Sequence, residues 1–64
     1  MEKEYFKISN YNETLYFNIN TLTKNDIVCF ENGGYKVETI KPKYRLLRKT
    51  IIESLKRLNE LKGN

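Results

Sequence analysis

The chain has 64 residues, with 12 Lys and Arg against 8 Asp and Glu, which gives a formal net charge of +4 and a pI of about 9.3. A chain of this length forms one domain, spanning residues 1–64, with a thin core and little room for an enclosed catalytic pocket. It contains no histidine and a single cysteine, Cys29, so an internal disulfide and a Cys/His zinc cluster are excluded.

The common catalytic constellations are missing from the sequence. Histidine, the commonest general base, does not occur, and Gly33-Gly34 lacks the spacing and the Lys-Ser/Thr of a phosphate-binding loop. Cys29 lies in the most apolar run, where a buried structural role is expected. No secretion signal or membrane-spanning run is recognised. We therefore expect a cytoplasmic protein that is not an enzyme, without cofactor, metal, membrane or small-molecule substrate.

The first predicted elements are two antiparallel strands, roughly residues 3–9 and 14–19, separated by polar turn residues. Apolar and polar side chains alternate in both segments, and the clean alternation of the second predicts a half-buried antiparallel strand. The residues predicted to face the core are Phe6, Ile8, Leu15, Phe17 and Ile19.

The middle of the chain is predicted to continue the sheet. Thr23 and Asp26 are spaced to cap a brief helical turn. The apolar run that follows is β-branched and aromatic, and it predicts a third, central strand over roughly residues 27–31. Residues 32–34, with two glycines, predict a turn after which residues 35–40 pair back as a fourth strand.

The segment after Ile40 allows two interpretations. One begins a long helix near Pro42. The other makes residues 44–48 a fifth strand and begins the helix at Thr50, over roughly residues 50–62. We favour the second because Thr50 and Glu53 match the capping box T-x-x-E before apolar residues at helical spacing. The predicted fold is therefore α+β, an antiparallel β-meander of four to five short strands followed by one C-terminal amphipathic helix.

The C-terminal helix is predicted to close the core through Ile51, Leu55 and Leu58, with Gly63 as its C-cap. Its outer face carries charges of opposite sign four residues apart, a pattern typical of a solvated helix face. This pattern does not resemble a basic recognition helix, so we expect any binding surface to lie on the sheet side.

Basic side chains cluster before the predicted helix. Such side chains contact phosphates, which supply most of the non-specific affinity for nucleic acid. Lysines in this position also suit a sheet edge that is protected against aggregation. The residues predicted to contact nucleic acid or another partner are Tyr35, Lys36, Lys41, Lys43, Arg45 and Arg48.

A family resemblance adds to this prediction. Asp26–Glu31 has the form D-I-x-x-F-E, and a capped helix follows at Thr50. With these motifs, residues 14–58 resemble the front half of a LytTR-type DNA-binding domain. The resemblance implies a β-rich fold and duplex DNA as partner. It also implies that a loop at residues 32–36 enters a DNA groove, which would place Tyr35 and Lys36 at the interface.

Two classes of function follow from the sequence. The first is a small non-enzymatic DNA-binding or transcription-regulating protein that contacts phosphates through basic residues of the sheet and turns. The alternative is an accessory or inhibitory protein, of the kind phages and mobile elements encode, that binds a larger host protein through a sheet edge or the helix. A homodimer that extends the sheet, or buries Leu46 and Ile52, is compatible with both.

Overall fold

The structure is a computed structural model and describes residues 3–63. Its elements are, in order, β1 (Tyr5–Ser9), β2 (Thr14–Asn18), α1 (Lys24–Asn32), β3 (Lys36–Ile40) and α2 (Arg48–Lys62). The strands form one three-stranded antiparallel sheet in the order β2-β1-β3, so the first strand lies in the centre. The predicted α+β class and antiparallel sheet are confirmed. The meander of four to five strands with a single helix is wrong.

The β1–β2 hairpin is shaped by an asparagine side chain in its turn. Asn10 Oδ1 accepts hydrogen bonds from the backbone N–H groups of Asn12, at 2.8 Å, and Glu13, at 2.9 Å. The Asn10 N–H closes the turn by donating to the Glu13 carbonyl at 3.0 Å. These bonds stabilise a turn that sets the strand register, in which Ile8 lies opposite Leu15.

The core lies between the sheet and the two helices. Its buried members are Ile8, Leu15, Phe17, Phe30 and Leu58, with Leu55 among the partly buried residues packed against them. Ile8, Leu15 and Phe17 confirm the predicted inward face of β1 and β2, and Leu55 and Leu58 confirm that the C-terminal helix closes the core, although Ile51 is not among the core residues. Tyr5 is also buried, but it lies on the opposite face of β1 from Ile8.

The predicted third strand, residues 27–31, is wrong because this segment belongs to α1. A reciprocal capping box begins the helix. Thr23 Oγ1 accepts from the Asp26 N–H at 3.2 Å, and Asp26 Oδ2 accepts from the Thr23 N–H at 3.1 Å. The sequence predicted the cap but only a brief turn after it. The capped helix prevails over the β propensity of the run because it needs to bury one face only.

The apolar run in α1 is therefore not covered on both sides. Phe30 is the one buried residue of the helix, whereas Val28 is 51% exposed. Cys29 is exposed as well, so the prediction of a buried structural cysteine is wrong. Helical periodicity explains the difference, because consecutive residues point in different directions around a helix.

The glycines after α1 end the helix and do not form a hairpin turn, as residues 32–34 were predicted to do. Gly34 has φ of 92°, a conformation that favours glycine. Its N–H donates to the Glu31 carbonyl at 3.1 Å, and the Tyr35 N–H donates to the Phe30 carbonyl at 3.0 Å. This is a Schellman motif, completed by edge-on contact of the Tyr35 and Phe30 rings with centroids 5.2 Å apart.

The predicted fifth strand, residues 44–48, is also wrong. Residues 41–47 have no regular secondary structure, and α2 begins at Arg48. Leu47 occupies the N-cap position without a side-chain hydrogen bond, so the predicted cap at Thr50 is wrong as well. Thr50 lies inside the first helical turn. The helix, which packs against β2, therefore begins before the T-x-x-E pattern.

A serine of α2 lies against the outer edge of β2. Ser54 of α2 is 3% exposed, and its Oγ accepts the outward-pointing N–H of Tyr16 at 2.9 Å. The same hydroxyl donates to the Thr50 carbonyl at 2.9 Å. The helix thus covers the β2 edge and satisfies a backbone donor that a neighbouring strand would otherwise bind.

Candidate nucleic-acid interface

The positive charge of the protein is concentrated in residues 41–49, here called the basic segment. It contains five basic residues and no acidic residue; they are Lys41, Lys43, Arg45, Arg48 and Lys49. Because this segment contributes +5 to a total of +4, the rest of the chain has a net charge of −1. All five basic residues are exposed. The electrostatic footprint is therefore one short surface segment.

The basic segment crosses one end of the sheet. It leaves β3 at one edge and enters α2, which lies along β2 at the other edge. The end that it passes is the one where Asn18, Tyr5 and Ile40 are in register. Two large side chains of the segment extend into solvent, Tyr44 with 78% exposure and Leu47 with 74%. Aromatic and basic side chains are thus exposed together, as in surfaces that bind nucleic acid.

The first turn of α2 is positively charged, which is unfavourable at the start of a helix. It contains Arg48 and Lys49 and no acidic residue, and no side chain caps it. The backbone N–H groups of a first turn lack intrahelical partners and carry partial positive charge. Cations at this position cost about 0.3–1 kcal/mol each. An anion bound here would gain from the N–H groups and from both side chains.

The acidic residues that form ion pairs do so with Arg57 and Lys62, which lie outside the basic segment. Arg57 Nε lies 3.0 Å from Glu13 and Arg57 Nη1 lies 3.2 Å from Glu60, while Lys62 Nζ lies 3.0 Å from Asp26. Within residues 3–63, the basic segment takes part in no ion pair. Its charges can therefore meet phosphates without first breaking an internal contact.

The structure separates Tyr35 and Lys36 from the other predicted site residues. Lys36 is exposed at the start of β3, about 17 Å along the strand from Lys41. The Tyr35 hydroxyl donates to Glu13, and the Tyr35 ring packs on Phe30. The structure thus places Lys41, Lys43, Arg45 and Arg48 in one segment and ties Tyr35 into the fold.

The Tyr35 contact belongs to a network that joins three parts of the chain. Hydrogen bonds from Arg57, and next from Tyr35, hold the pKa of Glu13 below its ordinary value of 4.5. The same bond to Glu13 raises the pKa of Tyr35. No sequence pattern indicated this network, because its members lie 22 and 44 residues apart along the chain. Through Glu13, the network links the hairpin turn to Tyr35 and to Arg57 of α2.

A groove of about 610 Å³ lies between α1 and α2, at a distance from the basic segment. Phe30, Tyr35, Leu58 and Leu61 supply apolar lining, and Cys29 also lines it. The ion pair between Asp26 and Lys62 joins the two helices beside it. The groove is an apolar recess that sequence reasoning missed, because its α1 wall was predicted to be a strand.

Within residues 3–63, no group of three or more His, Cys, Asp or Glu side chains is arranged to hold a metal ion. No helix in that range has the length and apolar character needed to cross a membrane. Comparisons with protein-family models, with curated proteins and with solved structures give no match. The LytTR resemblance stays a prediction, and its D-I-x-x-F-E element at Asp26–Glu31 is helical in this protein.

Proposed function

We propose that this chain is a small non-enzymatic DNA-binding or transcription-regulating protein whose basic segment contacts the phosphates of duplex DNA. The observation that carries the proposal is the location of the charge. All five basic residues of the segment are exposed, and none pairs with an acid among residues 3–63. Phosphate neutralisation supplies most non-specific DNA affinity, so this segment suits that partner.

Two further features support the proposal. The uncapped first turn of α2 offers backbone donors beside Arg48 and Lys49, an arrangement that suits a phosphate. Tyr44 is exposed within the same segment, where its ring can pack against sugar or base.

The salt dependence of binding tests the proposal. Fluorescence anisotropy with a labelled duplex gives the association constant at several salt concentrations. If all five cations contact phosphates, the slope of log K against log salt is about −4.5, or about a 500-fold loss from 50 to 200 mM. Absence of binding at the lowest salt concentration would refute the proposal.

A matched pair of double variants tests the location. Lys43→Gln with Arg45→Gln removes two charges from the basic segment and reduces the slope to about −2.7. Lys24→Gln with Lys56→Gln removes two exposed charges from the helices and serves as the control. The control leaves most of the affinity and the slope unchanged. Equal losses in both variants would indicate a response to net charge alone and contradict the proposed segment.

A second candidate function is binding to a larger protein as an accessory or inhibitory factor. The groove between the helices favours it, because Leu61 is 45% exposed beside an apolar recess. A pull-down repeated after nuclease treatment separates the two functions. A partner that survives nuclease and is lost in Leu61→Lys supports this candidate; loss of all partners after nuclease supports DNA binding.

A further inference from the structure

The two edges of the sheet differ. The β2 edge is covered by α2, where Ser54 accepts the outward N–H of Tyr16. The β3 edge has no neighbouring strand within residues 3–63, since β3 pairs with β1 alone. An uncovered strand edge presents backbone donors and acceptors to any strand of matching register.

The backbone groups at the β3 edge follow from the hydrogen bonding of β1. The carbonyl of Glu4 accepts from the Ile19 N–H at 3.3 Å, so even-numbered residues of this strand bond toward β2 and odd-numbered residues toward β3. The odd-numbered residues of β1 are in register with the even-numbered residues of β3. The N–H and C=O groups of Val37 and Thr39 therefore point away from the sheet.

We propose that a second copy of this chain pairs with the β3 edge, antiparallel to it, across a two-fold axis at Val37. The two β3 strands then lie at the centre of one continuous six-stranded sheet. Val37 lies opposite Val37 of the second copy, and their outward N–H and C=O groups bond to each other. Thr39 bonds toward Tyr35, whose carbonyl is the next outward acceptor along the edge.

Charge selects this register over its neighbours. With the axis at Val37, Lys36 lies directly opposite Glu38 of the second copy, and the two-fold axis repeats this pair. Moving the axis by one residue sets Glu38 against Glu38 in one direction and Lys36 against Lys36 in the other, and both pairs are unfavourable. Moving it by two residues sets Lys36 against Pro42 and leaves both charges without a partner. Lys7 of β1 lies in register with Glu38 on the other side, so charges of opposite sign alternate across the joint sheet.

The covered β2 edge limits the assembly to two copies. After β3 has paired, each remaining edge of the six-stranded sheet is a β2 edge beside α2. Among residues 3–63, no uncovered strand edge is then left for a third copy, so the dimer is closed. The dimer also extends a small domain whose own sheet has three short strands.

Reciprocal charge variants test the register by sedimentation velocity over a range of protein concentrations. Lys36→Glu alone sets Glu against Glu, and Glu38→Lys alone sets Lys against Lys, so each variant sediments as a monomer. An equimolar mixture restores opposite charges at both positions and sediments as a dimer. Circular dichroism melts establish that each variant is folded before mixing.

A backbone variant tests the edge itself. Thr39→Pro removes an outward N–H and leaves the hydrogen bonds to β1 in place, so it yields a folded monomer. A wild-type protein that remains monomeric at every concentration overturns the proposal. A mixture of the two charge variants that stays monomeric overturns it too, as does a dimer that persists in folded Thr39→Pro.

Discussion

Replacing Ser54 with alanine tests how the sheet edge is covered. Ser54 is 3% exposed and lies where α2 meets the edge of β2. Its hydroxyl accepts the Tyr16 N–H and donates to the Thr50 carbonyl, both at 2.9 Å. Ser54→Ala removes both bonds without adding volume. The Thr50 carbonyl keeps its helical bond, whereas the Tyr16 N–H loses its partner behind the helix.

The expected cost combines two opposing terms. A covered backbone donor left without a partner destabilises the fold by about 1–3 kcal/mol. Alanine is the better helix former, which returns up to about 0.5 kcal/mol. The free energy of unfolding should therefore fall by about 0.5–3 kcal/mol, and the melting midpoint by roughly 4–8 °C for each kcal/mol.

Thermal melts and urea titrations measure this change, and hydrogen exchange measures the protection of the Tyr16 N–H directly. The matched control is Asn59→Ala, an exposed site in the same helix where the propensity gain acts alone. We expect the control to be slightly more stable than wild type and Ser54→Ala to be less stable. Equal stabilisation by both substitutions, with unchanged exchange at Tyr16, would refute the role assigned to Ser54.

The remaining predictions concern caps, a turn and pH. Thr23→Ala should lower the free energy of unfolding by about 1 kcal/mol, whereas Thr50→Ala should change it little, because only Thr23 caps a helix; urea titrations compare them. Gly34→Ala should cost about 1–2 kcal/mol in the same assay because φ is 92°. The pKa values of Glu13 and Asp26 are lowered from 4.5 and 3.8. The stability they provide is complete above those values and lost as pH falls through the lower folded values, which melts at decreasing pH should show for wild type and less for Glu13→Gln.

The parts of the fold that sequence predicted are those fixed by short-range patterns. Alternating side chains placed Leu15 and Phe17 inward correctly, because the buried face of a strand follows from its period. The prediction of a strand over residues 27–31 was wrong because four consecutive apolar residues suit a buried strand and a helix equally well. The cap at Thr23 and the glycines after Asn32 were the signals that could have decided for a helix, since they bound the nine residues of α1.

The parts that sequence could not predict depend on contacts between distant residues. The edge contact of Ser54 with Tyr16 spans 38 positions along the chain, and no local pattern indicates it. The T-x-x-E motif at Thr50 was misleading, because α2 begins at Arg48 without a side-chain cap. The basic residues were visible in the sequence. The sequence did not show that they lie together on an exposed segment crossing the end of the sheet, because residues 44–48 were predicted to form a fifth strand.

A charge reversal at the start of α2 separates binding from stability. Arg48 lies at the first helical position, where a cation is unfavourable and an anion is favourable. Arg48→Glu removes the unfavourable cation and adds a favourable anion, so it should raise the free energy of unfolding by about 0.6–2 kcal/mol. On the proposed function it should also weaken DNA binding and flatten its salt dependence. Lys43→Glu makes the same charge change outside the helix, so it should weaken binding with no gain in stability. If Arg48→Glu weakens binding and raises stability, while Lys43→Glu only weakens binding, the positive charge at the helix start contributes to ligand binding and not to the stability of the fold. A loss of stability in Arg48→Glu, or DNA binding equal to wild type, would contradict that argument.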